Sequence, residues 1–193
     1  LLIDAAGEKA AFIFRVKKTG SIDRLGFRTR TVTSAQTLRV GIETVDATTG
    51  FPTGTQYGGS AVGTQTSPAA DTFYEVTLAT PASATIGDVV ACVIQFDSTA
   101  GNLNICGYDW IGGTSNSGVP YSALYTASWA KGSTTPALSV RYSDASYAGD
   151  GLAPFQVVTS SSHSSSTTPD EVGNYFTMPV PMGCVGATVF VDC

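Results

Sequence analysis

The residues that could carry chemistry are few and badly placed for it. The one histidine, His163, sits in TSSSHSSSTTP (159–169), a run with no apolar residue to anchor it. A Ser-His-Asp hydrolase needs an imidazole held by rigid structure, so His163 reads as a solvated linker residue. Cleavage of a glycosidic bond needs two carboxylates at a fixed separation. Asp109, Asp144 and Asp150 are available, but each lies in or beside a turn cluster, where Asp caps backbone groups. Zinc would need several convergent nitrogen or sulfur ligands, and no His/Cys spacing supplies them. No Gly-rich phosphate loop occurs either. DATTG (46–50) and SDASYAGDG (143–151) offer oxygen donors for a surface calcium ion, without the regular spacing of a dedicated loop, and turn capping explains them better. The expectation is a non-enzymatic chain with no catalytic residue, no metal and no cofactor.

Binding is the stronger expectation. Tyr108, Trp110, Tyr121, Tyr125 and Trp129 crowd into one short stretch. Aromatic faces stack on sugar rings, although large aromatics also fill sandwich cores. In VVACVIQF (89–96), Val90, Cys92, Ile94 and Phe96 share a face. A hairpin would put Tyr108 and Trp110 on that face, which makes them core. Tyr121, Tyr125 and Trp129 remain as candidate binding residues. Charge supplies a second set. Eight of the ten basic residues fall in the first 39 positions, so that segment carries +5 while the remainder carries −10, for a net charge of −5. An acidic remainder argues against nucleic-acid binding, which uses a basic face. Arg28, Arg30 and Arg39 are candidates for an anionic glycan or an acidic patch on a partner. If TSAQ (33–36) is a hairpin loop, Arg30 stands opposite Arg39, and like charges so opposed need a neutralising group.

The elements that must position these residues read as strands. Apolar residues make up 42% and charged residues 13% of the 193, enough for a packed core. AFIFRV (11–16), IDRLGFRTRTV (22–32), TLRVGIETV (37–45), FYEVTLA (73–79), VVACVIQF (89–96), LNICGYDW (103–110) and ALSVRY (137–142) are rich in β-branched and aromatic residues. Turn clusters of Gly, Asx and Pro separate them. YSALYTASWA (121–130) suits either a helix or a strand. Together these imply an all-β, antiparallel β-sandwich of jelly-roll type. No apolar run reaches the ~20 residues of a membrane-spanning helix, and LLIDAAGEKA does not read as a signal peptide. The odd positions Val89, Ala91 and Val93 are apolar as well, so this strand must be covered on both faces, by a loop of its own chain or by another subunit.

The four cysteines are too few for a disulfide scaffold. If DSTAGN (97–102) closes a hairpin, Cys92 and Cys106 come within one residue of direct opposition, inside disulfide range after a small bulge. Cys184 and Cys193, if GATVFVD between them is extended, lie roughly 30 Å apart and cannot join. A secreted protein would keep the 92–106 bond, whereas one assembled in reducing cytoplasm could do without it.

The chain also repeats itself. EVGNYFTMPVPMGCVGATVFVD (171–192) lies over EKAAFIFRVKKTGSIDRLGFRT (8–29), with Phe12 over Tyr175, Gly20 over Gly183, Ile22 over Val185 and Phe27 over Phe190. This implies a sandwich over 1–158, a Ser-rich linker over 159–169, and the first strands of a second, similar sandwich over 170–193. The alternative is that 170–193 closes the first sheet.

TGSIDRLGFRT (19–29), QTLRVGIETVDATTGFPTGT (36–55), SPAADTFYEVTLA (67–79), GDVVACVIQFDSTAGNLNI (87–105) and TPDEVGNYFTMPVP (168–181) resemble modular β-sandwich proteins of bacteriophage virions. Such modules serve as tail-fibre, receptor-binding or capsid-decorating parts, and similar ones occur in secreted bacterial proteins. The resemblance rests on turn and strand phrases over about half the chain and carries no catalytic motif. It implies a structural and binding module at a virion surface or outside the cell. The expected partners are copies of itself, other virion or fibre subunits, or cell-surface glycans, with no nucleic acid and no membrane insertion. The alternative is a carbohydrate-binding module of a secreted glycan-active enzyme.

Overall fold

Two strands that follow each other in sequence and are apolar in different ways set the architecture. KAAFIFR (β2, Lys9–Arg15) is apolar on both faces, whereas GSIDRLGFRTRTV (β3, Gly20–Val32) buries Ile22, Leu25 and Phe27 and exposes Arg28 and Arg30. A two-sided strand suits the middle of a covered sheet and a one-sided strand suits a sheet with a wet face. In a computed structural model, which describes residues 2–5, 7–33, 37–96, 103–105, 107–109, 121–132, 134–136 and 138–148, they take those places in two different sheets.

The remaining strands are β1 (Leu2–Ile3), β4 (Leu38–Val45), β5 (Pro52–Gln56), β6 (Gly63–Gln65), β7 (Phe73–Ala84), β8 (Val89–Phe96), β9 (Leu103–Ile105), β10 (Gly107–Asp109), β11 (Tyr121–Tyr125), β12 (Trp129–Lys131), β13 (Thr134–Pro136), β14 (Leu138–Tyr142) and β15 (Tyr147–Ala148). One sheet runs β12-β11-β2-β8-β4-β5, with β6 also on β4. The other runs β1-β9-β3-β14-β15, with β7 also on β3, and β10 pairs β13 as a separate ribbon. All pairings among the described residues are antiparallel. The protein is an all-β antiparallel sandwich, as the strand pattern implies. Its jelly-roll winding depends on connections through 97–102 and 110–120, outside the described residues.

The main core lies between the sheets. Phe12, Phe14, Leu38, Val40, Ile42, Val90, Cys92 and Ile94 come from one side, and Ile22, Leu25, Phe27, Val76, Leu78, Leu103, Ile105, Leu138, Val140 and Tyr142 from the other. Burying one such side chain contributes about 1.5–3 kcal/mol, so this layer is what fixes the sandwich. A bulge after Ile22 shifts the register against β7, so that Ile22 and Leu25 both point inward with Asp23 and Arg24 between them.

Two expected hairpins are not formed. β3 and β4 belong to different sheets, so 33–36 connects sheets and Arg30 does not oppose Arg39. β8 is flanked by β2 and β4, and β9 by β1 and β3, so β8 and β9 do not pair as a hairpin. Cys92 is free and fully buried between Phe12 and Ile42. The β8–β9 hairpin on which the expected Cys92–Cys106 disulfide rested is therefore not formed, and Cys106 itself lies outside the described residues. The physical reason is that alternation assigns each residue a face but not a partner strand. The segment 103–110 also divides into two strands, β9 and β10, instead of one. Cys106, Trp110, His163, Cys184, Cys193, the linker and the repeat at 170–193 lie outside the described residues, as does the Tyr108 side chain.

Candidate functional site

The outward face of the β2–β8–β4 sheet holds the chain's second core and beside it a pocket. Ala11, Ile13, Ala91, Val93 and Ala123 are buried there, with Val45, Phe51, Val89, Tyr121 and Trp129 packed against them. The sheet's opposite edges meet over this face. Phe51, in the turn leaving β4, stacks on Trp129 of β12 with centroids 6.4 Å apart. From the same turn the Gly50 carbonyl accepts the Tyr121 hydroxyl. A sheet whose two edges touch across one face is curled, and the small side chains Ala11, Ala91 and Ala123 let the turn come down onto it. The turn itself is local chemistry. Asp46 accepts from the Thr48 and Thr49 amides, and Gly50 takes a positive φ of 76°. The Thr49 and Thr48 hydrogen bonds hold the Asp46 carboxyl below its usual range.

The second cover expected over Val89, Ala91 and Val93 thus includes the chain's own 46–51 turn. Tyr121 and Trp129 take part in that cover, and Tyr121 is further engaged by Lys131, whose ammonium sits 4.5 Å from the ring centroid. Burial raises the Tyr121 hydroxyl above its ordinary pKa. Tyr125 lies on the same face two rows on from Tyr121, in the row of Trp129 and edge-on to it at 5.3 Å, with the Lys9 ammonium 5.9 Å from its ring. The three aromatic candidates are therefore brought together on one face, half-buried, with Tyr125 nearest the pocket through its shared neighbour Lys9.

That pocket, about 180 Å³, is lined by Lys9, Arg39, Gly41, Glu43, Gly54, Gln56, Val62, Val93 and Gln95. Register explains its layout. Lys9, Gln95 and Arg39 are direct partners across β2, β8 and β4 and form its basic end. One row on, Val93 and Gly41 form the floor. A further row on, Glu43 is 6% exposed and its Oε2 accepts the Gly54 amide at 2.8 Å. Gln56, the register partner of Glu43, folds over Gly41, and its Oε1 is buried without a partner. A Cβ on Gly41 would stand 2.8 Å from that oxygen and 2.9 Å from Val62, so only glycine leaves room for the amide.

The arginine candidates are divided. Arg39 lines the pocket, while Arg28 and Arg30 are exposed on β3 in the other sheet, Arg28 donating to the Asp71 carbonyl at 3.3 Å. Sequence reasoning missed Lys9, Glu43, Gln56 and Gln95. The available signal was that β2 and β8 are both apolar on two faces, which makes them neighbours in one sheet and puts Lys9 in the row of Gln95. No group of His, Cys, Asp and Glu among the described residues is arranged to hold a metal ion.

The fold and this face define a β-sandwich with a curled, aromatic-edged, polar pocket. No protein-family model, no curated protein and no solved structure matches the chain.

Proposed function

We propose that the chain is a non-enzymatic binding and structural module of a virion surface or another extracellular assembly, and that it contacts glycans through the curled face. The observation that carries this reading is the pocket at Lys9, Arg39, Glu43, Gln56 and Gln95, with Tyr125 packed against Lys9 at its rim. Sugars are held by just such a pairing of amide, carboxylate and cationic groups, which meet hydroxyls, with an aromatic edge, which meets a ring face. Glu43 is the one carboxylate among the described lining residues, and its Oε2 is already occupied by the Gly54 amide. Hydrolysis by a carboxylate pair has no second member there, which supports binding over cleavage. The resemblance of the strand and turn phrases to phage-virion modules supports the setting, with copies of the chain or other fibre subunits as partners. The same site would serve a carbohydrate-binding module of a secreted enzyme. A glycan array probed with the intact chain and with Tyr125→Ala tests the reading. Retention of specific glycans by the parent, weakened at least several-fold in the variant, is the expected result. An array without a hit would sink it.

A further inference from the structure

The pocket is bipolar, and its polarity names a ligand class. At one end two cations flank an amide: Lys9 and Arg39 are separated on the sheet by β8 alone, with Gln95 between them. Neighbouring strands lie about 4.8 Å apart, so their Cα atoms stand about 10 Å apart, and both long side chains reach one anionic group centred over Gln95. At the other end are two acceptors, the Glu43 carboxylate and the buried, unpartnered Gln56 Oε1. A buried acceptor without a donor is destabilising until a donor fills it. Arg39 and Glu43 are four residues apart on β4, about 13 Å at ~3.3 Å per residue, and their side chains and that of Gln56 shorten the gap.

We infer that this pocket binds the acidic unit of a glycan, a hexuronate residue, with its carboxylate between Lys9 and Arg39 and its ring hydroxyls donating to Gln56 Oε1 and Glu43. The inference rests on the glycan reading above and specifies its substrate. A carboxylate suits the basic end because the planar guanidinium fork of Arg39 matches two coplanar oxygens. Hydroxyls suit the other end because they supply the donors that Gln56 lacks. The volume, about 180 Å³, is below the ~300–1,000 Å³ of sites that engulf a whole ligand. It therefore fits one unit of a chain that continues over the Tyr125 edge. A neutral sugar would satisfy the acceptors and bring no negative charge to the basic end.

The test compares trigalacturonate with uncharged galactotriose by titration calorimetry, using the intact chain, Lys9→Gln and Arg39→Gln at low and high salt. Unchanged thermal melts establish that the variants fold. The acidic trimer should bind at least tenfold more tightly than the neutral one. Either substitution should remove about tenfold of that preference, since charge-assisted hydrogen bonds are the strong ones, and salt should shrink it. Equal affinity for the two trimers, or a preference that survives both substitutions, overturns the hexuronate assignment and leaves the glycan reading standing. Binding of neither trimer, with hits on the array that carry no acid, also overturns the assignment alone. An array without hits removes the broader reading and this one with it.

Discussion

Arg24 of β3 stands directly opposite Arg141 of β14. The like-charge opposition expected between Arg30 and Arg39 thus exists elsewhere in the fold, and two carboxylates neutralise it. Arg141 Nη1 lies 2.9 Å from Asp23 Oδ2, and Arg24 Nη1 lies 3.8 Å from Glu75 Oε2. Asp23 reaches Arg141 because it occupies the bulge that resets β3. Glu75 also accepts from the Tyr147 hydroxyl, whose pKa burial and that hydrogen bond raise. Replacing Glu75 by Gln should lower stability by about 1 kcal/mol, and replacing Asp23 by Asn by about 1–3 kcal/mol. Urea unfolding at two ionic strengths checks this. The Glu75→Gln loss should be larger at low salt, and a loss independent of salt would remove the electrostatic account.

Cys92 makes a prediction about reactivity. Burial, and secondarily the charge of Glu43, push its thiol far above the ordinary range. The thiolate is the reactive form, so Cys92 should resist alkylation in the native protein and react fully in denaturant. Peptide mass spectrometry after alkylation reads the site individually. Because the thiol packs in the main core, Cys92→Ser should cost about 1–3 kcal/mol by burying a hydroxyl in apolar surroundings.

Acid should loosen the turn after β14. Hydrogen bonds from Lys18, from the Ser146 hydroxyl and from the Ser146 amide hold the Asp144 carboxyl well below its usual range. A carboxyl whose folded pKa is depressed contributes stability above its unfolded pKa, about 3.9, and loses it as pH falls toward the folded value. Melting temperature should therefore decline below about pH 4, and Asp144→Asn should flatten part of that decline while lowering stability at neutral pH. A parallel decline in parent and variant would show that other carboxylates, Asp46 among them, set the acid limb. The alkaline limb has the opposite sign. Burial and the hydrogen bond to Asp88 raise Tyr57, so its contribution is complete below about pH 10 and is lost as pH rises through the folded value.

Gly63 packs where no side chain fits. A Cβ there would stand 2.1 Å from the Thr77 carbonyl oxygen, which is backbone and cannot swing away. Gly63→Ala should force β6 off β7 and cost about 2–4 kcal/mol, in the range of a severe core clash. Gly54→Ala meets open space, but at a φ of +83°, and should cost about 1 kcal/mol. Denaturant midpoints of the two variants check the order.

Much of this was readable in the chain, and the part that was not has two causes. The boundaries of β8 agree with the sequence reading, and those of β2, β3, β4 and β14 lie within one or two residues of it. The inward positions Leu25, Phe27, Leu38, Val40 and Ile42 follow from alternation. Partners do not follow from it. A period of two tells Arg39 which way to face, but not whether its neighbour is Arg30 in a hairpin or Gln95 across the sheet. Both wrong hairpins assumed that sequence neighbours pair, whereas here 33–36 joins the two sheets. The pocket was hidden for the same reason, since Lys9, Gln95 and Arg39 share a row only once β2, β8 and β4 are aligned. β5 and β6 were missed because PTGTQ and GTQ carry too few large apolar residues to register as strands.

The β2 pairings have a consequence for how the chain is made. A strand apolar on both faces, β2 is made well before its two sheet neighbours, which begin at Val89 and Tyr121. Until those segments emerge, KAAFIFR has two bare edges and two greasy faces, the features that recruit other unfinished chains. Its C-terminal arginine and the two lysines just after it, at 17 and 18, place charge beside the exposed strand, the usual guard against such self-association. Arg15, Lys17 and Lys18 thus stand where charge opposes pairing of the bare strand with another chain.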